Sequence, residues 1–326
     1  MKTIKNFKPS FGLCIILAVF VILFLCGTKK SFAAGQAFPK RVISLSPIIT
    51  ETIYLVGAQD SLIANTTYCN IPEQAGLKEK IGSVTHMNVE KIISLCPDLV
   101  IASALTRERQ LIILERQHIT ILRAENPKTF EQMCDMTLTI GQKLGKESTA
   151  KVIVEKARKE VAHVMKKTCG LKKPRVFLQI GLKPLHSANK DMFINEYIRY
   201  GGGVNIAEHE SSGIYSREKV IQENPQVILI ATMGTSKKAG LIERQRWMSF
   251  QGIDAVKNKR LHVLDPEMIC SPTPATFVKG LRLIVPLIHP EIACLELEHP
   301  ESDSPKSDSP KLVHTEVAHQ EVSVEP

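Results

Sequence analysis

"NVEKIISLCPDLVIA", residues 88–102, returns 128 positions later as "SREKVIQENPQVILIA", residues 216–231. Glu90, Lys91 and Pro97 of the first copy align with Glu218, Lys219 and Pro225 of the second. Asn88 and Ser216 are good helix N-caps, and Val89, Ile92, Ile93 and Cys96 follow the spacing of a helix buried on one side. Proline ends each helix, because it lacks a backbone donor and disfavours helical geometry in the residue before it. "DLVIA" and "QVILIA" are then unbroken apolar runs, the pattern of a strand covered on both faces of a parallel sheet. The same helix-to-strand unit written twice predicts two α/β lobes of related plan.

The flanking sequence extends the pattern. "RVISLS", "SLIANT" and "TILRAE" read as strands separated by the helices "PIITETIYLVG" and "LTRERQLIILERQ". Such alternation predicts a parallel sheet with helices on its faces. From Thr129 the texture becomes helical without an intervening strand. "KESTAKVIVEKARKEVAHVMKK" runs over 20 residues without glycine or proline, which predicts one rigid connecting helix about 30 Å long. A second lobe restarts at "RVFLQIG" and ends with the helix "TFVKGLRLIVPLIH"; "GGGVN" reads as a helix C-cap. The predicted fold class is therefore α/β: two lobes with central parallel sheets flanked by helices, joined by one long helix. The predicted boundaries are 34–145 for the N-terminal lobe, 146–168 for the connector and 169–294 for the C-terminal lobe. The polar tail 295–326, with "SDSPK" written twice in succession, is too poor in apolar residues to order itself.

The N-terminus is basic, then apolar for 17 residues, then small at Ser31 and Ala33. It reads as a secretory signal over residues 1–33, with an uncleaved membrane anchor as the alternative. "LFLC" lacks the small residue expected before a lipidated Cys26. Residues 1–33 carry Lys2, Lys5, Lys8, Lys29 and Lys30 and no acid, so their removal lowers the formal charge from +9 to +4. Without a basic stripe interleaved with aromatics, this balance argues against nucleic acid. An exported, periplasmic protein results.

No P-loop, HExxH, GxSxG or dinucleotide fingerprint occurs. Cys96, Cys134 and Cys294 fall within apolar helical patterns and are expected in the core. Cys69 and Cys270 stand in loop-like stretches beside prolines.

Two lobes, a connecting helix, export and no catalytic motif are the profile of a solute-binding protein. The chain resembles the helical-backbone periplasmic binding proteins of ABC importers, and within them the cobalamin- and ferric-siderophore-binding branch. "RVISLSPIITETIYLVG", "TYCNIPEQAG", "HMNVEKIISLCPDLVIA", "RVFLQIG", "GGGVNIA", "YSREKVIQENPQVILI", "AVKNKRLHVLD" and "LIHPE" carry the resemblance, in family order across residues 40–291. It implies a monomer without cofactor or catalytic residue, binding a metal chelate between its lobes. A corrinoid is the first choice; a ferric siderophore or haem is the second. It also implies docking on a permease dimer through one glutamate per lobe, Glu90 and Glu218. A glutamate in a helix's first turn is favoured by the helix dipole whatever it touches. Two matched carboxylates pairing with arginines would fix orientation as well as affinity.

By the same resemblance, the cleft is lined by Ser46 and Pro47, Tyr68 and Cys69, Thr85 and His86, Gln179 and Gly181, Ser212–Tyr215, and Glu267–Cys270. The chain departs from the branch in two ways. Val84, Ser103 and Ser212 stand where tryptophans would cover a corrin ring, and Trp247 is expected to pack. Ser271-Pro272-Thr273-Pro274-Ala275 lacks the two arginines common at that loop, which argues against a strongly anionic ligand there. Three readings are open for Cys69 and Cys270: free thiols, a disulfide between the lips, or metal ligands with His86. The competing function is an exported cysteine-using enzyme or metallochaperone on the same scaffold.

Overall fold

The computed structural model describes residues 38–232 and 237–294. The expected signal and tail lie outside the described residues. The first sheet contains β1 (Val42–Ser44), β2 (Leu62–Asn65), β3 (Glu79–Lys80), β4 (Leu99–Ser103) and β5 (Ile121–Ala124), in the order β3-β2-β1-β4-β5. All of its pairings are parallel. The helices between these strands are α1 (Pro47–Leu55), α2 (Glu73–Gly76), α3 (Val89–Ser94) and α4 (Glu108–Arg116).

Strand alternation divides this lobe into two cores. Val42, Leu99 and Ile101 face Ile49 and Ile53 of α1. Ile43, Val100 and Ala102 face Ile92 of α3 and Leu111 and Leu114 of α4. Both faces are covered, which explains the apolar runs.

Two helices follow, α5 (Phe130–Lys143) and α6 (Glu147–Thr168). The second lobe then contains β6 (Arg175–Gly181), β7 (His186–Ser187), α7 (Ile194–Tyr200), β8 (Val204–Asn205), α8 (Arg217–Glu223), β9 (Val227–Ile230), α9 (Lys237–Met248), α10 (Asp254–Lys257), β10 (Leu261–Val263), α11 (Pro266–Cys270) and α12 (Pro274–Ile288). A 3-10 helix, Pro290–Cys294, completes it. β10, β9, β6 and β8 are mutually parallel, while β7 pairs antiparallel with the end of β6. Val176, Leu178, Val227 and Leu229 pack on α6, α7 and α12. Phe177, Ile228 and Ile230 pack on α8 and α9, around the fully buried Trp247.

The long helix expected at the junction is α6, which spans about 33 Å at 1.5 Å per residue. It shares the bridging with α5. Phe130, Met133 and Cys134 of α5 lie in the second lobe's core, while Met136 and Ile140 lie in the first's. Ala150 of α6 belongs to the first core, and Val154, Ala157, Val161 and Val164 to the second. Buried polar contacts lock the pair to the second lobe: Glu196 accepts from the Phe130 backbone N–H, and Arg282 of α12 pairs with Glu160 of α6. Two helices rooted in both cores resist wide hinging.

Two local expectations are corrected, and two short strands are added. Cys96 is exposed and ends α3 at φ 45°, so it is no core residue. The loop-like stretch around Cys270 contains the helix α11, started by Pro266 with Asp265 as its cap. The second sheet carries the short strands β7 and β8, too brief to announce themselves by periodicity.

Candidate ligand cleft and docking surface

In a parallel α/β sheet, ligands sit outside the strand C-termini where the strand order reverses. In the first lobe that point lies between β1 and β4, and in the second between β6 and β9. After β1, Thr50 Oγ1 donates to Ser44 Oγ (2.8 Å), which donates to the Ser46 carbonyl (3.1 Å). Ser46 starts α1 with extended backbone, and its side chain makes no capping bond. After β4, Leu105 stands 61 % exposed. Nothing in its sequence context separates it from a surface leucine.

The loop after β2 carries Tyr68, 66 % exposed, and Cys69, buried with its Sγ 3.1 Å from Thr66 Oγ1. Lys80 holds this loop from below: its Nζ donates to Asn65 Oδ1 (2.7 Å) and to the carbonyls of Cys69 (3.0 Å), Ala75 (3.2 Å) and Thr66 (3.3 Å). Thr85 and His86 are exposed on the next turn. Gly82 makes that turn possible at φ 100°, because a Cβ there would lie 2.5 Å from the His86 carbonyl oxygen. His86 Nδ1 lies 3.0 Å from Thr85 Oγ1, and Nε2 lies 3.0 Å from Arg107 Nη2. Arginine only donates. Nε2 is therefore the acceptor, and its lone pair is occupied.

On the second lobe, Ser212, Ile214 and Glu267 are exposed and Gly181 is half-buried. A Cβ on Gly181 would approach His186 Cβ to 2.8 Å, so glycine is what allows β7 to fold back on β6. Gln179 and Tyr215 turn away from the opening. Gln179 is fully buried, accepting from Trp247 Nε1 (2.7 Å) and donating to Glu243 (3.1 Å). Tyr215 packs against Phe177 with the rings tilted, and its hydroxyl donates to the Ile206 carbonyl (3.1 Å).

Each lip carries an acid, Glu51 on one and Glu267 on the other. Burial pushes the carboxyl of Glu51, on α1, up to about 8, and the neighbouring Glu267 carboxylate adds to the rise. Glu267 was legible as a loop acid; Glu51, in mid-helix, was not.

Cys69 and Cys270 are both buried free thiols, which removes the disulfide reading. Burial, with Asp265 nearby, pushes the Cys270 thiol up to about 12, and its Sγ lies 3.6 Å from the Ala231 carbonyl. A buried thiol held protonated is a poor nucleophile. Among the described residues no three His, Cys, Asp or Glu side chains converge on a metal-sized site. Cavities of about 250 Å³ beside β5 and about 380 Å³ at the α5–α6 turn contain none of the residues singled out from the sequence.

The repeated stretch becomes one structural unit present twice. Asn88 Oδ1 accepts from the Lys91 backbone N–H, and Ser216 Oγ from that of Lys219. Glu90 and Glu218 thus occupy the same helical position. Both are exposed, and neither makes an ion pair with a described residue. Bonds from its own backbone N–H and the Ser216 hydroxyl hold Glu218 below the ordinary carboxylate value. Both helices precede strands that run toward the cleft edge, so their N-termini stand beside that edge.

The family pattern described as "Periplasmic binding protein" matches residues 42–268. The chain belongs to that family. It is 28 % identical over 261 residues to the ABC transporter substrate-binding lipoprotein YvrC of Bacillus subtilis, covering 78 % of this chain and 81 % of that one. It is 31 % identical over 246 residues to the vitamin B12-binding protein of Photorhabdus laumondii, covering 74 % and 85 %. The crystal structure of the Vibrio cholerae periplasmic vitamin B12-binding protein BtuF superposes with a TM-score of 0.67 at 25 % identity, covering 79 % of this chain and 99 % of that one. Members of this family share the two-lobed plan of parallel sheets flanked by helices seen here.

Proposed function

We propose that this chain is the substrate-binding component of an ABC importer, exported to the periplasm. It would bind a corrinoid between its lobes without chemical change and act as a monomer. Its lobes would be residues 34–145 and 169–294 around the connector 146–168, after a leader of 1–33 and ahead of the tail 295–326. The observation that carries the reading is the matched pair of unpaired carboxylates, Glu90 and Glu218. They stand on equivalent helix starts beside the two cleft edges, where arginines of a permease dimer would meet them. Two relatives named as vitamin B12-binding proteins support the ligand class.

The rim suits a large, mostly apolar face. Tyr68, Leu105 and Ile214 project from three different loops, and exposed apolar side chains gathered at a cleft stack on flat ligands. Glu51 and Glu267 place carboxyls where haem propionates or an anionic siderophore would need cations, which favours the corrinoid. Ser46, Thr85, His86, Ser212 and Glu267 supply the polar contacts. Gly181 shapes the rim, and the buried Cys69, Gln179, Tyr215 and Cys270 support the loops from beneath. The cysteine-enzyme alternative loses ground because Cys270 is buried, and burial pushes its thiol up to about 12.

The test is retention of a coloured ligand. The purified chain is incubated in turn with cobalamin, cobinamide, ferric hydroxamate and haem, then desalted, and its visible spectrum is recorded. One corrinoid kept per chain is the expected result. Retention of haem alone would reverse the ligand order; retention of none would remove the chelate reading for these compounds.

A further inference from the structure

α9 is built inside out. Its buried face carries Glu243, 1 % exposed, beside Trp247, while Leu241 and Ile242 on its outer face are about half exposed. A carboxylate in the core persists only when its partners replace water, and here they do. Arg217 Nη2 donates to Glu243 Oε2 at 2.5 Å, Gln179 Nε2 donates to the same oxygen at 3.1 Å, and Arg246 pairs with Oε1. Arg217 also lies over the indole of Trp247, 4.6 Å from its centroid. Trp247 Nε1 closes the circuit by donating to Gln179 Oε1 at 2.7 Å. Burial works to raise the Glu243 pKa, but the bonds from Arg217, Gln179 and Arg246 outweigh it and hold the group below its ordinary value.

Arg217 is the first residue of α8 and stands immediately before Glu218. α8 has seven residues, so the placement of its first turn decides where Glu218 points. In the first lobe, Val89 occupies the place of Arg217; there Gln110 of α4 donates from Nε2 to the Met87 carbonyl at 3.1 Å, with no charged partner comparable to Glu243 among the described residues. The clamp therefore belongs to one lobe.

We infer that Glu243 is a positioning residue for docking: through Arg217 it fixes the carboxylate of Glu218, and through Gln179 it ties that carboxylate to the end of β6 at the cleft. This rests on the docking role proposed above for Glu218. Glu243→Gln preserves shape and removes the charge that orients Arg217. A general loss of stability would weaken both lobes' contributions alike, whereas a positioning role couples to Glu218 alone.

The experiment measures saturable binding of the fluorescently labelled chain to right-side-out membrane vesicles from its own cell, with thermal melting as the folding control. Glu243→Gln is expected to weaken binding roughly tenfold. It should add little once Glu218→Gln is present, and add its full effect to Glu90→Gln. Equal additivity with both overturns the inference while leaving docking intact. Unchanged binding in Glu90→Gln and Glu218→Gln overturns the docking reading and this inference with it. Should Glu243→Gln fail to fold, Arg217→Gln breaks the clamp from its less buried end and enters the same cycle, where coupling to Glu218 alone supports the inference and equal additivity overturns it.

Discussion

Arg41 and Arg175 do the same work in the two lobes. Arg41 donates from Nη2 to the Leu95 carbonyl (2.6 Å) and from Nε to that of Cys96 (3.1 Å). Arg175 donates from Nε to the Glu223 carbonyl (3.1 Å) and from Nη2 to that of Asn224 (2.9 Å). Each guanidinium satisfies the orphan carbonyls at the end of the helix whose start carries its lobe's exposed glutamate. Cys96 and Asn224 both adopt positive φ there, 45° and 44°. Arg41→Met and Arg175→Met should each cost about 1 kcal/mol, the net worth of a hydrogen bond at an exposed helix end. Urea denaturation of the two variants checks this, and nearly equal losses are expected.

Charge reversal at both proposed docking positions, Glu90→Arg with Glu218→Arg, should abolish uptake of labelled cobalamin by cells relying on this chain. The purified double variant should still retain the ligand. Neither carboxylate is buried or paired within the described chain, so its reversal leaves the fold alone.

Lys80→Met removes the ammonium that gathers three carbonyls and the Asn65 side chain under the Tyr68 loop. Those acceptors are partly buried, so stability should fall by about 2 kcal/mol. Ligand retention should weaken as well, because Tyr68 loses its fixed platform. A melting curve and a ligand titration of the same sample read both effects.

Glu51 ties stability to pH. Its folded value, about 8, lies above the ordinary 4.5. Between these values the folded state therefore holds a proton that the unfolded state has released, and stability falls as pH rises. Glu51→Gln should flatten this slope, leaving the variant relatively more stable at pH 8–9 than at pH 5. Melting temperatures across pH 4–9 decide it; an unchanged slope would remove the buried-carboxyl assignment.

Cysteine labelling reports burial directly. Cys96 and Cys169 are exposed, while Cys69, Cys134 and Cys270 are buried. Brief alkylation of the native protein should modify the first two and spare the other three until denaturant is added. Peptide mass spectrometry identifies the sites.

Much of the fold was legible because its signals are local. The N-caps Asn88 and Ser216, the prolines after each repeat helix and the doubly covered strands follow from spacings of two to four residues. The cleft was less legible. "RVFLQIG" shows that Phe177 and Gln179 share a face, but not that α9 covers it. Gln179 and Tyr215 thus turned out to be buried supports, while Glu51 and Leu105 emerged at the rim without any signal in the sequence. Cys96 read as core because its helical phase is apolar; the left-handed residue that ends α3 turns it outward.

By itself the sequence determined the two α/β lobes, the long connector, the matched glutamates and the family resemblance, since each rests on local pattern or on a repeat comparable with itself. The tertiary structure alone decided which side chains face the opening, that Cys69 and Cys270 stay unpaired, that α5 shares the bridging, and that Glu243 reaches Arg217 and Gln179. Glu243 reaches Arg217 and Gln179 across 26 and 64 positions, and Arg41 reaches its helix end across 54 to 55. Local periodicity carries no information about such distances; only the packing of helix on sheet does.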